Sequence, residues 1–342
     1  MRITGYSPLL AVCACVALAL VHPNVSAQTP STNGAHLLVA NQVDRTTSII
    51  DPATGRQIAA VPTGDDAGHG HEVAASPDGR VAYVPIYGSS GVAKPGTDGR
   101  NMLVIDIASH KVVGEVDFGH GVRPHCAVYD PVSKLLYVTT ELDKTISIID
   151  PRTLKIVGVI PTSEPYSHML AISHDGRRGY TANVIPGTVS VLDMKARKTL
   201  TVIPISSETQ RISISMDDKM VFTADQTKPQ LAVIDTATNK VKTWVPLAAE
   251  GYGTGATLDG RWLLVTMPSV DKVAVVDLKT LQVTNNIDVS KAPQEVLIRP
   301  DGREAYVSCM GAHQVVVIDL SQMKVKTLIE AGKGADGLAW SK

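Results

Sequence analysis

Three histidines recur at one position of a repeating pattern, and a neutral imidazole is a good ligand for a divalent transition metal. They are His71, His125 and His168, and each precedes a short run typical of a β-strand. If the fold brings them to one rim, they could hold a metal ion and leave coordination positions open to water or substrate. Alternatively, they are polar residues satisfied by water and backbone, since no compact ligand motif such as His-Glu-x-x-His accompanies them. The sequence leaves both interpretations open.

The equivalent position of the other repeats also holds polar or charged residues, and so does the next position in some repeats. In chain order, the first position holds His71, His125, His168, Gln210, Tyr252, Gln294 and Asp336, and the next position holds Glu72, Cys126, Met169, Arg211, Gly253, Glu295 and Gly337. Arg211 could bind a ligand carboxylate, and Glu295 or Tyr252 could transfer a proton, so these three are candidate catalytic residues. Glu72, Arg123, Gln210, Gln294 and Asp336 are candidate ligand-binding residues. Mutual ion pairing among the charged members is the structural alternative.

These positions belong to a repeat that covers nearly the whole chain. An apolar run ending in aspartate occurs seven times, at Asp51, Asp106, Asp150, Asp193, Asp235, Asp277 and Asp319. Successive aspartates are 42 to 44 residues apart, except for a first interval of 55 residues whose excess lies at Gly88 to Asn101. This period is typical of four-stranded propeller blades. The sequence therefore predicts an all-β, seven-bladed β-propeller of four-stranded antiparallel blades, with the insertion on its top face.

Several repeats share characteristic sequence motifs. Leu135-Leu136-Tyr137-Val138-Thr139, Thr145-Ile146-Ser147-Ile148-Ile149-Asp150-Pro151 and Tyr180-Thr181-Ala182-Asn183 resemble the YVTN β-propeller repeat family of exported bacterial and archaeal proteins. The resemblance covers essentially all of residues 35 to 342. It implies the propeller fold, but that architecture is shared by lactonases, lyases, cofactor-bearing enzymes and pure binding proteins.

The ends of the chain predict how the ring closes. Gly334 to Ser341 aligns with the first strand of a repeat, whereas His36 to Asn41 aligns with the second. We therefore expect one propeller domain over residues 35–342, in which the C-terminal strand joins the N-terminal blade and protects two open sheet edges. The seven aspartates occur in every repeat, so we assign them to hydrogen bonds within tight turns rather than to function.

The first 27 residues have the features of a secretory signal peptide. Arg2 supplies a positive charge, Leu9 to Val21 is an apolar run too short to span a bilayer, and Val25-Ser26-Ala27 is a small-residue cleavage site. Residues 28–34 would then form a short N-terminal extension. We expect a periplasmic or secreted protein with no membrane insertion after cleavage. Only Cys126 and Cys309 would remain, too few for a disulfide framework.

Composition narrows the possible functions. Of 342 residues, 32 are Lys or Arg and 33 are Asp or Glu, so the net charge of -1 gives no reason to expect a nucleic-acid partner. There is no Gly-x-Ser-x-Gly elbow, phosphate loop or Cys-x-x-Cys-His haem motif.

Two functions fit the remaining features. One is an exported propeller that binds a small polar or anionic ligand, a metal or a protein partner in its top-face funnel. The other is a lactonase-like hydrolase or a lyase that uses a divalent transition metal held by the three histidines. The substrate and the identity of any metal stay open on the sequence.

Overall fold

Short strands rich in Val, Ile and Thr build a β-propeller, as the repeat predicts. The computed structural model describes residues 34–65, 68–89 and 91–342, together with Met1, Arg2 and Gly5. In this part of the chain the strands form seven antiparallel sheets, which are the seven blades. The proposed signal peptide and N-terminal extension lie, apart from Met1, Arg2, Gly5 and Gly34, outside the described residues.

We number the blades from the one that contains the N-terminal strand, and we give the strands of each blade from the channel outward. Blade 1 consists of Ala335–Ser341, His36–Asn41, Thr46–Asp51 and Arg56–Pro62. Blade 2 contains Ala74–Ala75, Val81–Gly88, Asn101–Asp106 and Lys111–Asp117, and blade 3 contains Pro124–Asp130, Leu135–Thr140, Thr145–Asp150 and Lys155–Pro161. Blade 4 contains Ser167–Ile172, Arg178–Asn183, Thr188–Asp193 and Lys198–Pro204.

The remaining blades follow the same order. Blade 5 contains Ile212–Ile214, Met220–Asp225, Gln230–Asp235 and Lys240–Pro246, and blade 6 contains Thr254–Ala256, Trp262–Met267, Lys272–Asp277 and Gln282–Asp288. Blade 7 contains Pro293–Ile298, Glu304–Cys309, Gln314–Asp319 and Lys324–Glu330. A single 3-10 turn, Pro268–Val270, is the only helical element among the described residues. No helix in this part of the chain has the length and apolar character needed to cross a membrane.

The ring closes through the two ends of the chain, which confirms the prediction. Ala335–Ser341 pairs antiparallel with His36–Asn41, and Leu37 lies opposite Trp340 in this ladder. Trp340 also stacks on Tyr306 of blade 7, with ring centroids 5.7 Å apart. The C-terminal strand therefore joins the first and last blades both by backbone hydrogen bonds and by side-chain packing.

The repeated aspartates form turns, also as predicted. Asp51 accepts a hydrogen bond from the Ala53 amide at 2.9 Å, and Asp193 accepts one from the Ala196 amide at 2.8 Å. The other five make equivalent bonds within two or three residues. Their role is to shape the hairpin between the third and fourth strands of each blade.

Every outer strand carries a β-bulge near its start. In blade 3 the register shifts so that Ile149 opposes Ile156 while Ile148 opposes Gly158, and the same shift occurs in the other six blades. A bulge bends a strand and interrupts its hydrogen-bonding edge. The exposed outer edge of each blade is therefore irregular.

Blade 2 departs from the four-stranded pattern. Its sheet has six strands, because Gly64–Asp65 and Gly68–Gly70 add to the upper part of Val81–Gly88. The crossing between blades 1 and 2 is rich in glycine, so its backbone can approach the sheet closely. The insertion after Gly88 also packs closely on the sheet, because a Cβ atom on Gly99 would lie only 1.7 Å from the carbonyl oxygen of Ile86.

Both cysteines lie in the core. Cys126 and Cys309 are free and buried, and burial raises the pKa of each thiol to about 12. A reactive thiol needs a lowered pKa and access to solvent. These two residues therefore act as small core side chains.

Closure by the C-terminal strand predicts a large loss of stability when that strand is removed. Deleting residues 334–342 should lower the melting temperature strongly or prevent folding, because blade 1 loses its inner strand. A matched pair of substitutions tests the same contact more gently. Leu338→Ala removes a buried side chain and should cost about 2 to 5 kcal/mol, whereas Leu328→Ala on an exposed outer strand should change stability by less than about 0.5 kcal/mol. Circular dichroism melts of the three variants would refute the closure if the truncation melted like the intact protein.

Candidate functional site

The predicted site residues lie where the inner strands leave the regular ladder. In blades 1, 3, 4 and 7 the register of the inner strand shifts at these positions. In blades 5 and 6 the residues immediately precede the inner strand, and in blade 2 they lie between Gly68–Gly70 and Ala74–Ala75. A regular strand sends consecutive side chains to opposite faces, whereas a bulge can re-aim them. This irregularity explains how adjacent residues can both serve the mouth of the channel.

Hydroxyl side chains satisfy the backbone groups that these irregularities release. The Thr139 hydroxyl accepts a hydrogen bond from the Cys126 amide and donates one to the His168 carbonyl, each at 2.9 Å. Thr266 does the same between Gly253 and Gln294, at 2.7 Å for each bond. Each hydroxyl thus links the site segment of its own blade to that of the next blade.

The three histidines lie side by side and share a neighbour, Tyr87. We call these four residues the imidazole cluster. The ring centroids of His71 and His125 are 5.4 Å apart, and those of His125 and His168 are 3.4 Å apart and stacked. Tyr87 lies 4.8 Å from His71 and 5.3 Å from His125. The structure therefore brings the predicted histidines together on consecutive blades.

Burial keeps two of these imidazoles neutral. It lowers the pKa of His71 and of His125 well below the usual value, and neighbouring histidines and Arg211 act in the same direction. The Nδ1 atom of His125 is buried and has no hydrogen-bond partner among the described residues. A buried polar atom without a partner is costly, so this one needs a specific explanation.

The third imidazole has a partner on each nitrogen. His168 Nδ1 is hydrogen-bonded to Glu141 Oε1, and His168 Nε2 lies 2.9 Å from the side-chain amide nitrogen of Gln210. The Tyr87 hydroxyl donates to the second oxygen of Glu141 at 2.7 Å. Glu141 and Tyr87 are fully buried, so this array is shielded from water.

The arrangement does not show the ligand geometry that a metal ion needs. Among the residues that the structure describes, no three His, Cys, Asp or Glu side chains are placed to hold one ion. His125 and His168 meet face to face rather than through their nitrogens, and both nitrogens of His168 are engaged. The metal role assigned to the three histidines stays a prediction that this geometry does not support.

A second group of side chains meets inside the channel, and we call it the axial ion cluster. Arg211 Nη2 lies 2.6 Å from Asp336 Oδ1 and 2.8 Å from Glu72 Oε1. Its Nη1 atom is 3.8 Å from Glu295 Oε2. Arg211 comes from blade 5, and Asp336 and Glu72 come from blades 1 and 2, which are the two blades opposite it in the ring. The arginine side chain therefore crosses the channel axis.

The axial ion cluster holds three carboxyl groups and one guanidinium group. Burial raises the pKa of Glu72 well above its usual value, raises that of Asp336, and raises that of Glu295 to about 7, while the charge of Arg211 opposes each shift. Arg211 and Glu72 are each about 3% exposed. The Nε and Nη1 atoms of Arg211 have no hydrogen-bond partner in the described part of the chain. One buried cation thus serves more carboxyl groups than it can neutralise.

Arg123, predicted to bind a ligand, contacts the insertion instead of the axis. Its Nε atom donates to Asp98 at 2.6 Å, and Nη2 donates to the Lys94 carbonyl at 2.8 Å. The guanidinium group lies over the Tyr87 ring, 5.7 Å from its centroid. Arg123 therefore connects the insertion to the imidazole cluster.

Five of the predicted residues remain partly exposed. One is Glu295, whose side chain is 19% exposed and contacts Arg211; the other four are uncharged, and we call the end of the channel where they lie the mouth. They are His71, Gln210, Tyr252 and Gln294. Burial raises the pKa of Tyr252 to about 12, so its phenol is neutral, and its ring lies under the Arg211 guanidinium at 5.2 Å. The mouth therefore presents uncharged groups, most of which both donate and accept hydrogen bonds, beside the partly exposed carboxyl group of Glu295.

Three further residues of the site, Tyr87, Glu141 and Gln42, are not among those predicted from the sequence. The amide nitrogen of Gln42 donates to Asp336 Oδ2 at 2.5 Å. Gln42 and Glu141 occupy one repeat position, directly after the second strand of their blades. Comparing that position across the repeats would have shown polar residues in only some blades. Tyr87 lies in the extended end of Val81–Gly88, a segment peculiar to blade 2.

Comparison with protein families shows a partial match. Residues 133–257 match the model of the Cytochrome D1 heme domain. This segment runs from blade 3 to blade 6 and includes Glu141, His168, Gln210, Arg211 and Tyr252. No curated protein matches the chain.

Three solved structures share the fold. Kuenenia stuttgartiensis hydrazine synthase has a TM-score of 0.68 and 17% identity, and the match covers 81% of this chain and 90% of that chain. The Pseudomonas aeruginosa periplasmic gluconolactonase PpgL has a TM-score of 0.70 and 15% identity, with coverage of 90% and 99%. The dihydro-heme d1 dehydrogenase NirN in complex with DHE has a TM-score of 0.63 and 18% identity, with coverage of 89% and 74%. At these identities the likeness shows the propeller fold alone.

Removing the only cation of the axial ion cluster should be costly. We expect Arg211→Met to destabilise the protein by about 3 to 5 kcal/mol at pH 8, because it leaves Glu72 and Asp336 buried without a counter-charge. The loss should be smaller at pH 5, because the raised pKa of these carboxyl groups lets them take up protons more readily as the pH falls. Arg303→Met, at an exposed position, is the matched control. Denaturant unfolding at the two pH values would contradict this account if Arg211→Met were no worse than the control.

The raised pKa of Glu295 predicts a specific pH dependence. Its carboxyl group binds a proton more tightly in the folded than in the unfolded protein, so its contribution favours folding below about pH 4.5 and is lost as the pH rises through about 7. Glu295→Gln cannot titrate. Relative to the wild type it should therefore gain stability between pH 5 and pH 8, on the order of 1 to 3 kcal/mol.

The measurement is the difference in free energy of unfolding between variant and wild type across this pH range. Glu250→Gln, on an exposed loop, is the control and should give a flat difference. A flat difference for Glu295→Gln as well would show that the Glu295 carboxyl group is not perturbed.

Proposed function

We propose that this protein is an exported propeller of the YVTN-repeat type that binds a small, uncharged, hydroxyl-rich ligand at its mouth. The signal peptide predicted over residues 1–27 supports export to the periplasm or out of the cell. The sequence predicts a polar or anionic ligand, and the proposal keeps the polar, uncharged class and excludes the anionic one.

The chemistry of the mouth carries this proposal. His71, Gln210, Tyr252 and Gln294 come from four different blades and are all partly exposed. An imidazole, two amides and a phenol offer donors and acceptors without a net charge. A ligand with several hydroxyl groups can satisfy both kinds of group, since each hydroxyl donates one hydrogen bond and accepts others.

The charges below the mouth argue against an anionic ligand. The axial ion cluster contains one guanidinium and three carboxyl groups, and a ligand carboxylate would add to that excess. The guanidinium groups of Arg211 and Arg123 already contact acceptors within the protein. The two Arg211 nitrogen atoms without a hydrogen-bond partner, Nε and Nη1, are buried in the axial ion cluster, so an anion that reached them would lose its hydration beside three carboxyl groups.

The comparisons support a small-molecule site in a general way. One solved structure with this fold is a periplasmic gluconolactonase, and another is a dehydrogenase in complex with DHE. The Cytochrome D1 heme domain match includes Gln210 and Tyr252 of the mouth. The metal-dependent hydrolase or lyase also considered from the sequence would need a three-ligand geometry that the histidines do not have here, so binding is the function that the geometry favours.

Paired probes that differ in charge test the proposal. D-Sorbitol and D-gluconate carry similar chains of hydroxyl groups, but gluconate ends in a carboxylate. We expect sorbitol to bind at least about 10-fold more tightly than gluconate, a difference of about 1.4 kcal/mol, because only gluconate meets the carboxyl groups of the axial ion cluster. Isothermal titration calorimetry would measure both.

Variants locate the binding. Gln294→Ala and Gln210→Ala should weaken sorbitol binding, whereas Gln322→Ala, in a turn far from the mouth, should not. Tighter binding of gluconate, or no response to either mouth variant, would overturn the proposal.

A further inference from the structure

Beneath the mouth, Glu141 is a fully buried carboxyl group with two hydrogen-bond partners from different blades. Tyr87 of blade 2 contacts Oε2, and His168 of blade 4 contacts Oε1. The sequence repeat does not require it, because the equivalent positions of the other blades hold different residues, such as Val184 and Gln226. A residue that only one blade carries, and that joins two others, calls for a specific explanation.

We propose that Glu141 is a positioning residue that fixes His168 as the Nδ1–H tautomer and so makes Nε2 a hydrogen-bond acceptor for a ligand hydroxyl. This inference rests on the proposed function for its ligand, but not for its tautomer. It adds a residue to the site and states which ligand group meets it.

The Glu141 carboxylate determines which ring nitrogen of His168 carries the proton. An ionised carboxylate only accepts hydrogen bonds, so both of its partners must donate. Tyr87 is able to donate because burial and the charge of Glu141 raise the pKa of its phenol well above the usual value. His168 must then donate through an Nδ1–H group. The opposite tautomer would place a lone pair against a buried oxygen and leave that oxygen without a donor.

The other ring nitrogen of His168, Nε2, contacts Gln210, which is a residue of the mouth. His168 Nε2 lies 2.9 Å from Gln210 Nε2, an amide donor, and an unprotonated Nε2 fits this contact. His168 is about 2% exposed, whereas Gln210 is partly exposed, so the amide lies between the imidazole and solvent. A ligand hydroxyl that moved the Gln210 amide aside could donate to the same nitrogen.

This polarity selects among ligand groups. A hydroxyl or N–H group at this point finds an acceptor, whereas a carbonyl or carboxylate oxygen meets a lone pair. The preference agrees with the neutral, hydroxyl-rich ligand proposed above. It arises from Glu141, which itself contacts neither solvent nor ligand.

The tautomer can be read directly in the ligand-free protein. Long-range proton–nitrogen NMR spectra of the protein labelled with ¹⁵N-histidine distinguish a protonated from an unprotonated ring nitrogen, and His168→Asn assigns the signal. We expect Nδ1–H in the wild type. In Glu141→Gln the side-chain amide should donate to Nδ1 and reverse the tautomer to Nε2–H.

Tyr87→Phe is the matched control. It removes the other hydrogen bond to the same carboxylate but leaves the imidazole contact in place, so the Nδ1–H form should persist. An Nε2–H signal in the wild type would overturn the proposal even if Glu141→Gln failed to fold. An unchanged tautomer in folded Glu141→Gln would overturn it as well.

Binding then separates this inference from the proposed function. Sorbitol affinity should fall at least about 10-fold in Glu141→Gln and less than about 3-fold in Gln322→Ala, the control in a turn far from the mouth. Absence of sorbitol binding to the wild type would refute the proposed function while the tautomer result stands by itself. Equal affinities for the two variants would refute the role of Glu141 in positioning.

Discussion

The contact of Arg211 with three carboxyl groups across the channel is the interaction on which the site depends. Removing charged groups from water is expensive, and one guanidinium group does not compensate three carboxylates, so this contact exists only because the closed ring imposes it. Asp336 reaches Arg211 only because the C-terminal strand completes blade 1. Closure of the fold and assembly of the site are therefore one event.

The repeat is sufficient to predict the fold from the sequence. Turn aspartates at regular intervals mark each blade, and the alignment of the chain ends predicts the closing strand, because both signals depend on local residues. Blade 2 could not be predicted in the same way. Its added strands consist of glycine-rich segments such as Gly68–Gly70. The sequence of such a segment predicts a loop, because its strand pairing depends on close backbone contact rather than on side chains.

The site was predicted as a set of positions but not as a set of contacts. Comparison of the blades identifies His71, Arg211 and Glu295, because the residue type at their positions changes from blade to blade. It cannot show that Arg211 crosses to blades 1 and 2, because side-chain direction at a bulge does not follow strand alternation. Glu141 was missed for a simpler reason: it follows the second strand, outside the two positions that were compared.

The bulges in the outer strands bear on how this protein behaves at high concentration. Apolar side chains are exposed there, namely Val113, Val157 and Leu200. An exposed apolar edge strand can pair with a strand of another chain and so extend the sheet. At the bulge the amide and carbonyl groups lose their even spacing, so an incoming strand would find only a short matching stretch. The molecule can thus carry an apolar rim and still resist growth into fibres.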